Sequence, residues 1–175
     1  MQKNTKKTGL LAIFFALTII SVSVSAQDDK AKRPSPPATA TGEINGIKVT
    51  VNYGQPSVKG REVWGKLVPY GEVWRAGANE ATTIEFWKDV TIEGKALPAG
   101  KYGFFTIPNT NEWTIIFNKV PNQWGAFKYD ASQDALRVTV KPKKSKTFNE
   151  KLGYAVNKNS VSLAWENAEV AFAVK

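Results

Sequence analysis

The chain has no histidine, no cysteine and a single methionine in 175 residues. Without histidine a Ser-His-Asp triad cannot be built. With cysteine missing too, Cys-His proteases and the usual zinc sites are excluded. No disulfide can staple the fold, so packing must carry stability by itself. A glycine-rich phosphate loop between strand and helix is also missing, which removes the common nucleotide sites. "GYAVNKNS" and "IPNTNEW" lack the repeated acidic positions of a calcium loop, so neither a cofactor nor a metal is expected.

Acid-base chemistry would fall on carboxylates, lysine or tyrosine. Glu80, Glu85, Asp89 and Glu112 are the carboxylates open to a histidine-free hydrolase, but no spacing singles out a pair. Ser57 and Lys59 in "PSVKG" read as a turn before they read as a Ser-Lys dyad. The balance leans away from an enzyme.

Long apolar runs are confined to the N-terminus. Lys3, Lys6 and Lys7 precede an apolar core opening at Leu10, and Val24, Ser25 and Ala26 supply small residues before a cut ahead of Gln27. Residues 1–26 therefore read as a secretory signal, with export to the periplasm or medium expected. The stretch is interrupted by Thr18, Ser21 and Ser23, short of the roughly 20 apolar residues of a spanning helix, so no stable membrane span is expected after its removal. The lipoprotein cysteine is missing as well.

Acidic residues are fewer than basic ones, 15 against 24, for a net charge of +9; removing the signal with its three lysines lowers this to +6. The densest basic run, Lys141, Lys143, Lys144 and Lys146, reads as a solvated turn. No aromatic residue interleaves it, so nucleic acid is not the expected partner.

Residues 27–42, ending in "RPSPPATATG", have the composition of a flexible leader before a single domain over 43–175. From there apolar and polar residues alternate. Ile47, Val49, Val51 and Tyr53 take one face and Lys48, Thr50 and Asn52 the other. Similar runs recur at Ile84 and Phe86, Val90 and Ile92, Tyr102 to Thr106, Trp113 to Phe117, Leu136 to Val140, Leu152 to Val156, Val161 to Trp165 and Val170 to Val174. Ile116 lies on the opposite face from Ile115 and Phe117, which predicts a sheet covered on both sides. Eight or nine short strands predict an all-β, antiparallel β-sandwich, jelly-roll-like or barrel-like. "GREVWGKLV" is the one candidate for a short helix, near 61–68, ended by Pro69.

The segments "YGQPSVKGREVWGKLVPYGEVWRAGANEATTIEF", "LPAGKYGFFTIPNTNEWTIIFN" and "ALRVTVKP" resemble an exported bacterial family catalogued as domain of unknown function 2911. The resemblance runs from about Ile47 to the C-terminus. It implies a compact β-sandwich and brings no established activity.

"GEVWRAGANEATTIEF" is where the sequence concentrates candidate site residues. Gly71 and Gly77 permit sharp turns on both sides of Trp74 and Arg75. Arg75 offers a fixed fork of donors, Asn79 can close an Asx turn, and Glu80 is near enough to accept from Arg75. Two readings stand side by side. In one, Arg75, Asn79 and Glu80 satisfy each other and the loop backbone. In the other, Arg61, Tyr70, Trp74, Arg75, Asn79 and Glu80 line a pocket for a polar small molecule or a cell-envelope glycan. Trp124, in "NQWGAFKY", is placed for stacking on a sugar ring, whereas Trp113 and Trp165 sit in apolar alternation and read as core. A structural domain that meets a partner protein is the further alternative. The sequence leaves the oligomeric state undetermined.

Overall fold

A computed structural model of the chain describes residues 30–175. The signal read over residues 1–26 and the first residues of the leader lie outside this range.

Ten strands and two three-residue turns of 3-10 helix make up the described structure. Strands β1 (Pro37–Ile44), β2 (Ile47–Gly54), β3 (Thr82–Phe86), β6 (Gly100–Ile107), β7 (Trp113–Asn118) and β8 (Asp134–Val140) form one antiparallel sheet, in the order β1-β2-β3-β6-β7-β8. A long hairpin of β9 (Lys143–Val156) and β10 (Ser160–Ala173) packs against it, and β4 (Val90–Ile92) pairs with β5 (Lys95–Leu97) in a smaller one. The six-stranded sheet stays open between β1 and β8, so the architecture is sandwich-like and not a closed barrel. Among the described residues no helix is long and apolar enough to cross a membrane.

Alternation determines the layers. Val49, Val51, Ile84, Phe86, Tyr102, Phe104, Ile115, Phe117 and Val138 point to one side and are buried with Leu152, Tyr154, Leu163, Trp165 and Phe172 of the hairpin. Phe172 meets Phe104 and Phe117 at 5.7 and 5.6 Å between ring centroids, so aromatic contacts tie the two layers together. Trp113 and Trp165 are core, as their alternation predicts. Phe105 and Ile116 form a second buried cluster on the other side of the sheet, under Ala126 and Tyr129, so this part of the sheet is covered on both faces.

Three features differ from the sequence-based expectations, and the segment near 61–68, the one candidate for a short helix, forms none. The amide N–H groups of Leu67 and Val68 donate to Glu62 and Val63 in a turn, because Gly65 adopts φ +84° and Trp64 bridges Val68. The lysine run does not sit in a turn beyond Lys141 and Pro142; Lys143, Lys144 and Lys146 lie in β9, whose exposed lysines keep that strand solvated. The last two apolar runs join into one strand, β10, bent by register shifts between Ala164 and Ala168 where Glu166 takes φ 52°. Finally, strand pairing begins at Pro37, inside the segment whose composition reads as leader, because Pro37 to Ile44 finds a full register of partners from Gly54 to Ile47.

Candidate functional site

The face of the sheet turned away from the hairpin carries a polar row. Thr39 pairs with Asn52, Asn52 with Thr83, Thr83 with Gly103 and Gly103 with Asn118, one residue from each of five neighbouring strands. Gly103 is the close-approach point. A Cβ there would lie 2.8 Å from the Val120 carbonyl oxygen, so only glycine lets the loop after β7 descend onto β6. Asn118 anchors that loop from below, its Oδ1 accepting from the Val120 amide at 3.0 Å and its Nδ2 donating to the Asp130 carbonyl at 3.0 Å.

Beside this loop the sheet face opens into a cleft of about 470 Å³. Its floor is Thr39, Asn52, Thr83 and Lys101, one wall is Pro121 to Trp124, and the other is Lys30, Arg33, Asn79 and Glu80. This volume lies in the range of small-molecule sites, about 300 to 1,000 Å³. Thr39 Oγ1 donates to Asn52 Oδ1 at 2.8 Å, which orients the Asn52 amide and leaves its Nδ2 donors for other partners. Trp124 is 58 % exposed, with the Arg33 guanidinium 6.0 Å from its ring centre.

Glu80 is the single carboxylate among the described residues that line the cleft. It accepts from Lys30 Nζ at 2.9 Å and from Arg33 Nη1 at 3.1 Å on each oxygen. The hydrogen bond from Lys30, with the Glu80 backbone amide and Arg33 adding to it, holds the Glu80 carboxyl down to about 2 against the opposing effect of burial. It therefore stays ionised at any ordinary pH. No zinc-like or acidic cluster of three or more His, Cys, Asp or Glu side chains occurs among the described residues.

The loop from Gly71 to Ala81 reaches the cleft through its last residues. Its backbone is pinned by Gly71 to Pro108, by a reciprocal pair between Trp74 and Thr106, and by Thr82 to Arg75. The left-handed residues are Gly71 (φ 77°), Ala76 (φ 53°) and Asn79 (φ 63°). Gly77 is needed for space and not for positive φ, since a Cβ there would meet Thr82 Oγ1 at 2.7 Å. The Ala76 carbonyl, fully buried, accepts from Thr82 Oγ1 at 2.9 Å and Tyr154 Oη at 2.7 Å, which fixes the strained residue.

The six residues predicted as one site separate. Asn79 and Glu80 line the cleft, with Asn79 Nδ2 donating to the Ser35 carbonyl at 2.9 Å. Trp74 is buried and stacks on Trp165 at 5.9 Å and 15°, with Trp64 edge-on to both. Arg61 caps its own turn, donating from Nε to the Val58 carbonyl and from Nη2 to the Ser57 carbonyl. Tyr70 packs its ring over Gly65, outside the cleft. Arg75 does not pair with Glu80: its Nε is buried without a partner among the described residues, and desolvation lowers its pKa from the ordinary value. The turn residues between them send Glu80 to the sheet's outer face, where Lys30 and Arg33 take the place expected of Arg75.

Alternation alone puts Thr50 and Asn52 on the polar side of their strand without gathering a site. The signal was present in the alternation. What was missing was the strand order, which alone shows that Thr39, Asn52 and Thr83 are neighbours. Lys30 and Arg33, in the leader by composition, gave no such signal.

None of the curated proteins and none of the solved structures compared with the chain matches it. The family described as "Protein of unknown function (DUF2911)" matches residues 35–174. That span takes in every strand and nearly the whole cleft, and the chain belongs to this family.

Proposed function

We propose that the protein is an exported binding protein that holds a polar, carbohydrate-like ligand in the cleft between the outer sheet face and the loop at Trp124. The observation that carries this reading is the pairing of an exposed indole wall with a floor of hydroxyl and amide groups, Thr39, Asn52 and Thr83. A sugar ring presents apolar C–H faces and a rim of hydroxyls, and these two surfaces suit them. Binding is favoured over hydrolysis because Glu80, held ionised by Lys30 and Arg33, is the one carboxylate among the described residues that line the cleft, whereas a glycosidase needs a pair. The basic start and apolar core of residues 1–26 support export.

Tryptophan fluorescence of the purified protein, titrated with neutral and uronic-acid oligosaccharides, tests this. A saturable change that is lost in Trp124→Ala supports the reading. No change with any of them contradicts it.

A further inference from the structure

Trp124 borders more than the cleft. A second hollow of about 310 Å³ lies beside the first, lined by Val120, Asn122, Gln123, Trp124, Phe127 and Lys128. Asn122, Gln123 and Trp124 are common to both, so the two hollows meet at one stretch of loop. Phe127 is 85 % exposed, and its ring rests over Gly125, where a Cβ would come within 3.0 Å of it. Gly125, at φ 66°, turns the chain between the two aromatic residues. Two exposed aromatic side chains three residues apart, with amide groups between them, are costly to leave in water without a purpose in recognition.

The charge of the combined surface is one-sided. Among the described residues, Lys30, Arg33, Lys101 and Lys128 line it against Glu80. Lys30 and Arg33 are engaged by Glu80, but Lys101 in the first hollow and Lys128 in the second form no ion pair with another described residue. One cation with no ion pair to a described residue therefore lines each hollow, and Trp124 borders both.

We propose that the ligand is an extended anionic polysaccharide, a chain of uronic acid units that passes from the cleft over Trp124 to Phe127, with carboxylates meeting Lys101 and Lys128. This rests on the carbohydrate reading of the cleft and adds chain length and charge to it. Repeating sugar units match repeating aromatic contacts, and repeating carboxylates match cations spaced along the same path. Each additional contact acts at the high effective concentration set by the first, so affinity rises with chain length.

Calorimetry with digalacturonate, hexagalacturonate and cellohexaose tests it on the purified protein. Hexagalacturonate binds at least tenfold tighter than digalacturonate, cellohexaose binds more weakly than either, and added salt reduces the difference. Phe127→Ala and Lys128→Gln, both on the surface, keep the wild-type melting temperature and bring hexagalacturonate down to the affinity of digalacturonate, leaving the latter unchanged. Equal affinity for the two uronates, or unaltered hexagalacturonate binding in both variants, overturns the extension alone. Binding of cellohexaose without hexagalacturonate overturns the anionic class and leaves the carbohydrate cleft standing, and binding of none of the three overturns the cleft reading as well. Tighter binding of oligothymidylate than of hexagalacturonate overturns the proposal in favour of single-stranded nucleic acid, which also uses stacking and cations.

Discussion

Glu80 and Trp124 face each other across an isolated antiparallel bridge, made by the Ala81 amide on the Gln123 carbonyl at 2.9 Å and the Gly125 amide on the Asn79 carbonyl at 3.1 Å. Two loops far apart in sequence are thereby locked side by side. The backbones that carry Glu80 in the ionic wall and Trp124 in the aromatic wall are consequently held together. A ligand held between them meets a preformed site, so little ordering opposes binding.

Gly103→Ala tests how that unit is seated. The new methyl would stand 2.8 Å from the Val120 carbonyl oxygen, a backbone atom that cannot rotate away. The loop must lift, with a loss of about 1 to 3 kcal/mol in stability, as for other overpacked sites. Denaturant unfolding reads the loss, and binding in the cleft falls with it. Wild-type stability and binding would show that the loop tolerates the displacement.

The Glu80 ion pairs have a signed pH dependence. Its carboxyl titrates at about 2 in the folded protein against an ordinary 4.5, so the pairs stabilise fully above about 4.5 and the contribution disappears as pH falls toward 2. Because the side chains of Lys30 and Glu80 are half exposed, the contribution is under about 1 kcal/mol. Glu80→Gln should be less stable than wild type at neutral pH and equal to it near pH 2. A gap between them that persists undiminished at pH 2 would contradict the ion-pair account.

The Ala76 carbonyl predicts non-additivity. Tyr154→Phe or Thr82→Val alone leaves it one donor, and each should cost about 1 kcal/mol. Together they strip a buried carbonyl of its side-chain donors, and the double variant should lose more than the sum of the two by about 1 kcal/mol or more. Strict additivity in a thermal or denaturant melt would show that the two hydroxyls do not share this acceptor.

Phe117→Ala examines the interlayer core. Its ring is fully buried and meets Phe86, Tyr102, Phe104 and Phe172. Truncation should destabilise by about 3 to 5 kcal/mol without altering the cleft residues on the opposite face. A loss below about 1 kcal/mol would mean that the two layers are not held together there.

Strand positions were legible because period-two alternation is a local property: Val49, Val51 and Tyr53 are buried and Lys48 and Asn52 exposed, as their spacing predicts. The turn at Gly65 was not, since Val63, Trp64 and Leu67 have helical spacing and tertiary burial of Val63 and Val68 decides otherwise. Trp124 was legible as an exposed indole. The site around it was not, because its floor is assembled from four strands and its ionic wall draws on residues 47 and 50 positions before Glu80. The loop "GEVWRAGANE" draws attention by its residue types, yet Trp74 serves the core and Arg75 lies outside the cleft.

Calorimetric titration of wild type, Trp124→Ala and Arg75→Ala with one uronic-acid oligosaccharide separates binding in the cleft from binding in the loop. Trp124→Ala should retain the fold and lose binding at least tenfold, while Arg75→Ala should bind as wild type, since Arg75 does not line the cleft. The reverse result, binding lost with Arg75 and kept without Trp124, would place the site in the loop and not in the cleft.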